Sequence, residues 1–347
     1  MKILKYMLIF IPISIIGKFM NFPSSIMFIL AALSIIPLAG IMGEGTEEIS
    51  FYTGPKVGGF LNATFGNATE LIISFFALKQ GLFEVVKSSI SGAIIGNILL
   101  VLGASMLIGG VKHKHQKFNK NIVEVSSSML LFAVIGLCIP AVFTHTFNNS
   151  LLNTKYEGLS LAVAVIMFIL YILSLVFSFF THKELYNVSY EEEGEAKWSL
   201  KKAIIILVLA TVIIAIESEF LVDGVEGITS KLGLSEAFVG IILIPIIGNA
   251  AEHTTAVAMA LKNKMDVAIE ISIGSSLQVI LFVAPILVFL SLFFTPMSII
   301  FNQFELIALI VSVLIANKVA SDGESNWLEG AQLLAVYLII AAGFFIL

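Results

Sequence analysis

Apolar residues run along this chain in long blocks separated by short polar turns. Eleven of the blocks are about long enough to cross a ~30 Å hydrocarbon core as helices. They lie near 4–17, 24–42, 57–79, 86–111, 122–144, 158–181, 199–221, 236–261, 267–294, 304–317 and 328–347. The blocks are too long and too uniformly apolar for barrel strands, and a helix satisfies its own backbone hydrogen bonds, as lipid demands. The expected fold is all-α, a polytopic membrane protein of eleven transmembrane helices. The first block, behind Met1–Lys5, has the outline of a signal peptide. No small-residue cleavage site follows Ile16 and Gly17, however, and Lys18 with Pro23 reads as a turn between two spans.

Two polar interruptions inside the apolar pattern resemble each other. Gly66-Asn67-Ala68-Thr69-Glu70 in the third block returns as Gly248-Asn249-Ala250-Ala251-Glu252 in the eighth. Each is followed by a similar tail, Ala77-Leu78-Lys79 and Ala260-Leu261-Lys262, at an offset of 182–183 residues. The second motif lies five helices after the first, an odd step, so the chain direction is reversed between them and the halves are expected to be inverted five-helix repeats. The expected organisation is an extra N-terminal helix over 1–20, a first repeat over 24–181, a linker over 182–198 and a second repeat over 199–347.

Inverted repeats bring equivalent residues together near the membrane midplane, so Glu70 and Glu252 are expected to meet there. An ionised carboxylate at that depth costs several kcal/mol unless paired or solvated, which calls for a function. Asn67 stands three residues before Glu70 and Asn249 three before Glu252, so each amide shares a helix face with its carboxylate. Gly66 and Gly248, the latter with Pro245 a turn earlier, favour local breaks that turn backbone carbonyls toward the same place. Such hard oxygens suit Ca²⁺, which takes six to eight of them, better than zinc. Mn²⁺ favours similar ligands.

In the helix after each motif, Asn97 in one half and Ser275, Ser276 and Gln278 in the other add polar groups. The serines allow close helix approach, while an amide at mid-membrane is either an interhelical hydrogen bond or a partner of the site. His253, beside Glu252, is either a proton relay or a hydrogen-bonded packing group. Glu44, Glu47 and Glu48 after the second block, with Glu217 and Glu219 near the end of the seventh, are either solvated helix ends or acids that concentrate cations at two mouths. Glu191, Glu192 and Glu193, followed by Glu195, form an acidic run between the halves.

Composition agrees with lipid as the main solvent: 58% of the residues are hydrophobic and 12% charged, against about a quarter charged in soluble domains. A formal net charge of −5 without a basic patch excludes a nucleic-acid partner. The lone cysteine, Cys138, rules out an intrachain disulfide. No nucleophile, histidine pair or paired-aspartate motif points to an enzyme. A channel could share the acidic residues, but the repeat favours a carrier. All 19 basic residues are lysines, and most fall on the side of the N-terminus, among them Lys2, Lys5 and the cluster Lys112, Lys114, Lys117 and Lys120. That side is expected to be cytoplasmic, with the C-terminus outside. Brevity and the absence of arginine point to a prokaryotic cytoplasmic membrane, and a homo-oligomer is left open.

The segments GNATELIISFFALK (66–79), GNAAEHTTAVAMALKNKMD (248–266) and IGSSLQVILFVAP (273–285) resemble the calcium/proton antiporters, the CAX branch of the cation/calcium exchanger superfamily. The resemblance covers nearly the whole chain. It implies ten core helices in two inverted halves after one extra helix, Ca²⁺ and H⁺ as partners and no cofactor beyond the transported ion. It also implies Glu70 and Glu252 as central ligands, with Asn67, Asn249 and Gln278 nearby and carbonyls near Gly66 and Gly248 completing the shell. Sodium/calcium exchangers of the superfamily usually place a proline before the glutamate, where this chain has Thr69 and Ala251, so protons are the expected counter-ion and Na⁺ the alternative. By the same resemblance the second and seventh helices move, and the acidic run 191–195 is a regulatory segment or a plain linker.

Overall fold

The structure, a computed structural model, describes residues 6–146, 152–182, 196–319 and 321–346. A short apolar helix, α1 (Phe10–Phe19), turns at Asn21 into α2 (Ser24–Phe65). α2 runs for 42 residues with one interruption at Gly54, whose φ of 81° is readily adopted only without a Cβ. It therefore continues well beyond residue 42, where the apolar block ends. Glu44, Glu47 and Glu48 lower the hydropathy there without stopping the helix, because glutamate is a good helix former. The block over 57–79 is divided, its first part closing α2 and its second forming α3 (Ala68–Lys79).

Then come α4 (Phe83–His113), α5 (Lys120–Thr146), α6 (Leu152–Val176), α7 (Leu200–Asp223) and the short α8 (Val225–Leu232). The chain ends with α9 (Glu236–Gly248), α10 (Ala250–Leu261), α11 (Met265–Ser291), α12 (Gln303–Val319) and α13 (Trp327–Ile346). Among the described residues seven helices are long and apolar enough to cross a bilayer, or eight if α9 and α10, bent by 62° at their junction, count as one span. α9 and α11 each contain a π-turn, over 239–243 and 279–283, closely followed by Pro245 or Pro285. Proline offers no N–H to the ladder, and the wider turn accommodates the missing donor. α4 carries a third such turn at Gly96–Val101, which holds Asn97.

The expectation of helices alone fails at one place. His115–Lys117 (β1) pairs antiparallel with Glu324–Asn326 (β2), Gln116 standing opposite Ser325. The buried Gln116 amide donates to the Ala260 carbonyl at 2.8 Å and to Asn263 Oδ1 at 3.0 Å. The small ladder thereby ties the turns after α4 and α12 to the end of α10.

α4 and α11 supply much of the main core, with Ile94, Ile95, Ile98 and Leu99 packed among Val279, Ile280, Leu281 and Val283. α2 and α7 pack along one another through a separate cluster that includes Leu38, Met42, Ile49, Leu207 and Ile214. Gly92 brings α4 against α9: a Cβ there would collide with the backbone of Ile241. The outer faces carry large apolar side chains in the open, such as Phe132 on α5 and Leu338 and Ile339 on α13. Lipid would cover such a surface.

Candidate cation-binding site

Each half of the motif breaks a helix, and the break falls on the asparagine. Asn67 (φ −104°, ψ 18°) separates α2 from α3, and Asn249 (φ −94°, ψ 9°) separates α9 from α10. Both take the sparsely allowed bridge conformation, in which a short polar side chain can bond to local backbone. Asn249 does so, donating from Nδ2 to the Pro245 carbonyl at 3.1 Å. Gly66 itself is helical (φ −54°, ψ −45°) and Gly248 is the last residue of α9, which corrects the expectation that the glycines make the breaks.

What the glycines provide is space. The position of a Cβ on Gly248 lies 3.0 Å from Glu70 Oε1, and that of a Cβ on Gly66 lies 3.3 Å from Glu252 Oε1. Each glutamate therefore reaches across to the glycine of the other motif. Glu70 is buried and neither of its oxygens has a hydrogen-bond partner; Glu252 Oε2 and Asn249 Oδ1 are also buried and unpartnered. Buried polar atoms are nearly always satisfied, so four orphan oxygens gathered around two exchanged motifs mark a place for a cation or for protons. Among the described residues no group of three or more His, Cys, Asp or Glu is gathered in the way that would hold a metal, and the unpartnered atoms here belong to two carboxylates and an amide. That set is all oxygen and lacks the nitrogen and sulfur that zinc sites favour.

The two asparagines differ. Asn97 donates to Ser275 Oγ at 3.0 Å, Ser275 donates to Asn67 Oδ1 at 3.0 Å, and Asn67 Nδ2 donates to Gln278 Oε1 at 2.6 Å. This chain crosses from α4 to α11 to the α2–α3 break and back to α11. Asn67 is thus engaged at both ends of its amide, whereas Asn249 keeps its carbonyl oxygen free. Ser276 bonds within its own helix to the Ser272 carbonyl. His253 Nε2 is buried without a hydrogen-bond partner.

The acids expected at the mouths divide. Glu47 and Glu219 are exposed and Glu44 is half-buried. Glu48 and Glu217 are buried, at 3% and 0% exposure, which corrects the picture of solvated helix ends at those two positions. Glu48 Oε2 accepts the Trp198 N–H at 2.8 Å, just ahead of α7, and Glu217 Oε1 lies 2.5 Å from Ser14 Oγ of α1. Glu191, Glu192 and Glu193 lie outside the described residues. One acid escaped the reading of the sequence: Glu305, buried at the start of α12, accepts from Ser88 Oγ at 2.5 Å and from the Asn302 N–H at 3.0 Å. An acidic residue inside the block 304–317 was the signal for it.

Two broken helices that exchange carboxylates inside an apolar bundle define an integral membrane protein built around a buried acidic site. The chain belongs to the sodium/calcium exchanger protein family, whose pattern matches residues 23–180 and 202–346. It is 48% identical over 355 residues to the Ca(2+)/H(+) antiporter of Aphanothece halophytica, covering 98% of this chain and 95% of that one. The Ca(2+)/H(+) antiporter ChaA of Bacillus subtilis (strain 168) is 47% identical over 343 residues, with 97% of each covered. Among solved structures, a crystal structure of the Ca2+/H+ antiporter protein YfkE superposes with a TM-score of 0.86 at 42% identity over 100% of both chains.

Proposed function

We propose that this protein exchanges Ca²⁺ for H⁺ across a membrane by alternating access, Ca²⁺ and protons competing for one site built around Glu70 and Glu252. The observation that carries this reading is the set of orphan carboxylate oxygens held between Gly66 and Gly248. A buried carboxylate without a cation is costly, and a proton or a divalent ion relieves that cost equally well in kind. One ligand therefore excludes the other, and exclusion is what couples their fluxes. Asn249 Oδ1 would add a neutral oxygen to the shell. Asn67, Gln278, Ser275 and Asn97 would hold the α2–α3 break in place, with Ser276 and His253 one layer out.

The architecture that serves this reading is α1 followed by two inverted five-helix halves, over 24–181 and 199–347, eleven spans in all. Its support is the repeated motif, the paired breaks and the crossed positions of Glu70 and Glu252. The family pattern falls in two segments with a gap between 180 and 202, and it leaves α1 outside. The lysine distribution supports a cytoplasmic N-terminus in a prokaryotic cytoplasmic membrane. The identities to proteins named Ca(2+)/H(+) antiporters favour protons over Na⁺ as the counter-ion.

The deciding experiment is uptake of radioactive calcium into proteoliposomes holding the purified protein, driven by an acid interior or by a Na⁺-loaded interior at equal pH. Uptake is expected only with the proton gradient, and Glu70→Gln and Glu252→Gln are each expected to abolish it in protein that still folds. Uptake driven by Na⁺ alone would move the protein to sodium exchange. Full activity in either glutamine variant would remove the site. Excess unlabelled Mn²⁺ in the same assay measures selectivity between the two ions.

A further inference from the structure

Ser14 has one hydroxyl hydrogen and two acceptors in reach. Its Oγ lies 2.8 Å from the Ile11 carbonyl oxygen and 2.5 Å from Glu217 Oε1. Ser14 can share that hydrogen between the two acceptors or give it whole to Ile11, and in the second arrangement the contact to Glu217 is a hydrogen bond when the glutamate donates as a carboxylic acid.

The surroundings agree. Ser14 and Glu217 are each 0% exposed, and Glu217 Oε2 has no partner. An ionised carboxylate buried in this way, with one oxygen unpartnered, is costly unless a cation faces it. On α1 the nearby cation is Lys18, but it is paired with Asp223 at 2.7 Å. On α2 the acids Glu44, Glu47 and Glu48 sit at the far end of the contact, since Gly45 packs on Leu207, ten residues and roughly 15 Å along α7 from Glu217. α3 carries Glu70 and Lys79, α8 carries Glu226 and Lys231, and α7 itself carries Lys201, Lys202, Glu219 and Asp223. Among the described residues no hydrogen bond or ion pair joins any of these charges to Glu217, whose side-chain partner is Ser14. Glu305 is a contrast, for its two oxygens receive two donated hydrogens and Lys87 stands near.

We propose that Glu217 is a proton-binding site separate from the Glu70 and Glu252 pair, and that its carboxylic acid, bonded to Ser14, latches α1 to α7. Together with the Lys18–Asp223 pair it makes two polar ties from α1, both to α7. Loss of the proton as pH rises leaves a buried anion beside a serine whose hydrogen can serve only one of two acceptors. The seam then opens to water, and the tie that remains is the exposed ion pair. The site does not depend on which ion the protein transports.

The test is infrared difference spectroscopy of the full chain in lipid nanodiscs, wild type minus Glu217→Gln, at neutral pH. A lost carboxylic-acid C=O band is expected, and Ser14→Ala is expected to shift that band because the acid loses its acceptor. Glutamine keeps the shape and can donate to Ser14, so the variant folds, which its thermal transition checks. In parallel, spin labels on the outer faces of α1 and α7 should report a separation that grows with pH in the wild type and stays constant in Glu217→Gln. Loss of carboxylate bands in place of the acid band would overturn the proposal, as would a wild-type separation that ignores pH. Calcium flux enters neither readout, so failure here is distinguishable from failure of the exchange reading.

Discussion

Glu70 Oε1 stands 3.0 Å from where a Cβ on Gly248 would be. A glutamate from the first motif thus occupies space left open by a glycine of the second, and Glu252 does the same beside Gly66. The two motifs thus interlock, each glutamate packed against the glycine of the other.

Gly248→Ala should leave the protein folded, because the atom it crowds is the end of a flexible side chain. The displaced carboxylate should bind Ca²⁺ at least tenfold more weakly, or about 1.4 kcal/mol. Calcium titration of the purified variant measures this directly, and an unchanged affinity would mean that Glu70 does not need its present position.

Gln278→Ala removes the acceptor of the 2.6 Å bond from Asn67 and leaves a buried amide N–H unsatisfied. That loss is expected to cost about 1–3 kcal/mol. It should lower the thermal transition in detergent and weaken calcium transport together, since the same bond holds the α2–α3 break. A variant with normal stability would show that another group takes over the hydrogen bond.

Glu48 and Asp223 offer a comparison of a buried and an exposed acid. Glu48→Ala leaves the Trp198 N–H without its acceptor and should destabilise by about 1–3 kcal/mol. Asp223→Ala breaks contacts to Lys18 and Gln80 that are open to water, at 49% and 37% side-chain exposure for the ion pair. Its cost should be at most about 1 kcal/mol. Thermal unfolding of the two variants side by side tests the order, and equal losses would contradict it.

Two glycines in equivalent-looking polar segments should respond oppositely. Gly92→Ala drives a methyl into the Ile241 backbone, which cannot rotate away, and should cost about 1–3 kcal/mol or more. A Cβ on Gly274 meets nothing within 4 Å, so Gly274→Ala should be neutral or slightly stabilising. The measurement is yield and melting temperature of each variant, and a tolerated Gly92→Ala would show that α4 and α9 can separate without penalty.

Hydropathy alone determined that this chain is helical and lies in a membrane, because lipid acts on every segment in the same way and leaves its mark locally in each apolar block. The duplicated GNATE and GNAAE segments likewise made Glu70 and Glu252 stand out, since an acid deep in an apolar block is expensive wherever it falls. Helix ends were less legible. α2 passes through the polar stretch after residue 42 because glutamate and its neighbours sustain the hydrogen-bond ladder that hydropathy does not see. Which polar groups are satisfied was decided only in three dimensions. Asn67 is held by Gln278 and Ser275, more than 200 positions away, while Asn249, with the same neighbours in sequence, keeps an oxygen free. The sequence pattern places Glu217 at a helix end, whereas the fold buries it against Ser14, 203 residues earlier. Burial and hydrogen bonding belong to pairs of residues, and tertiary packing is what chooses the pairs.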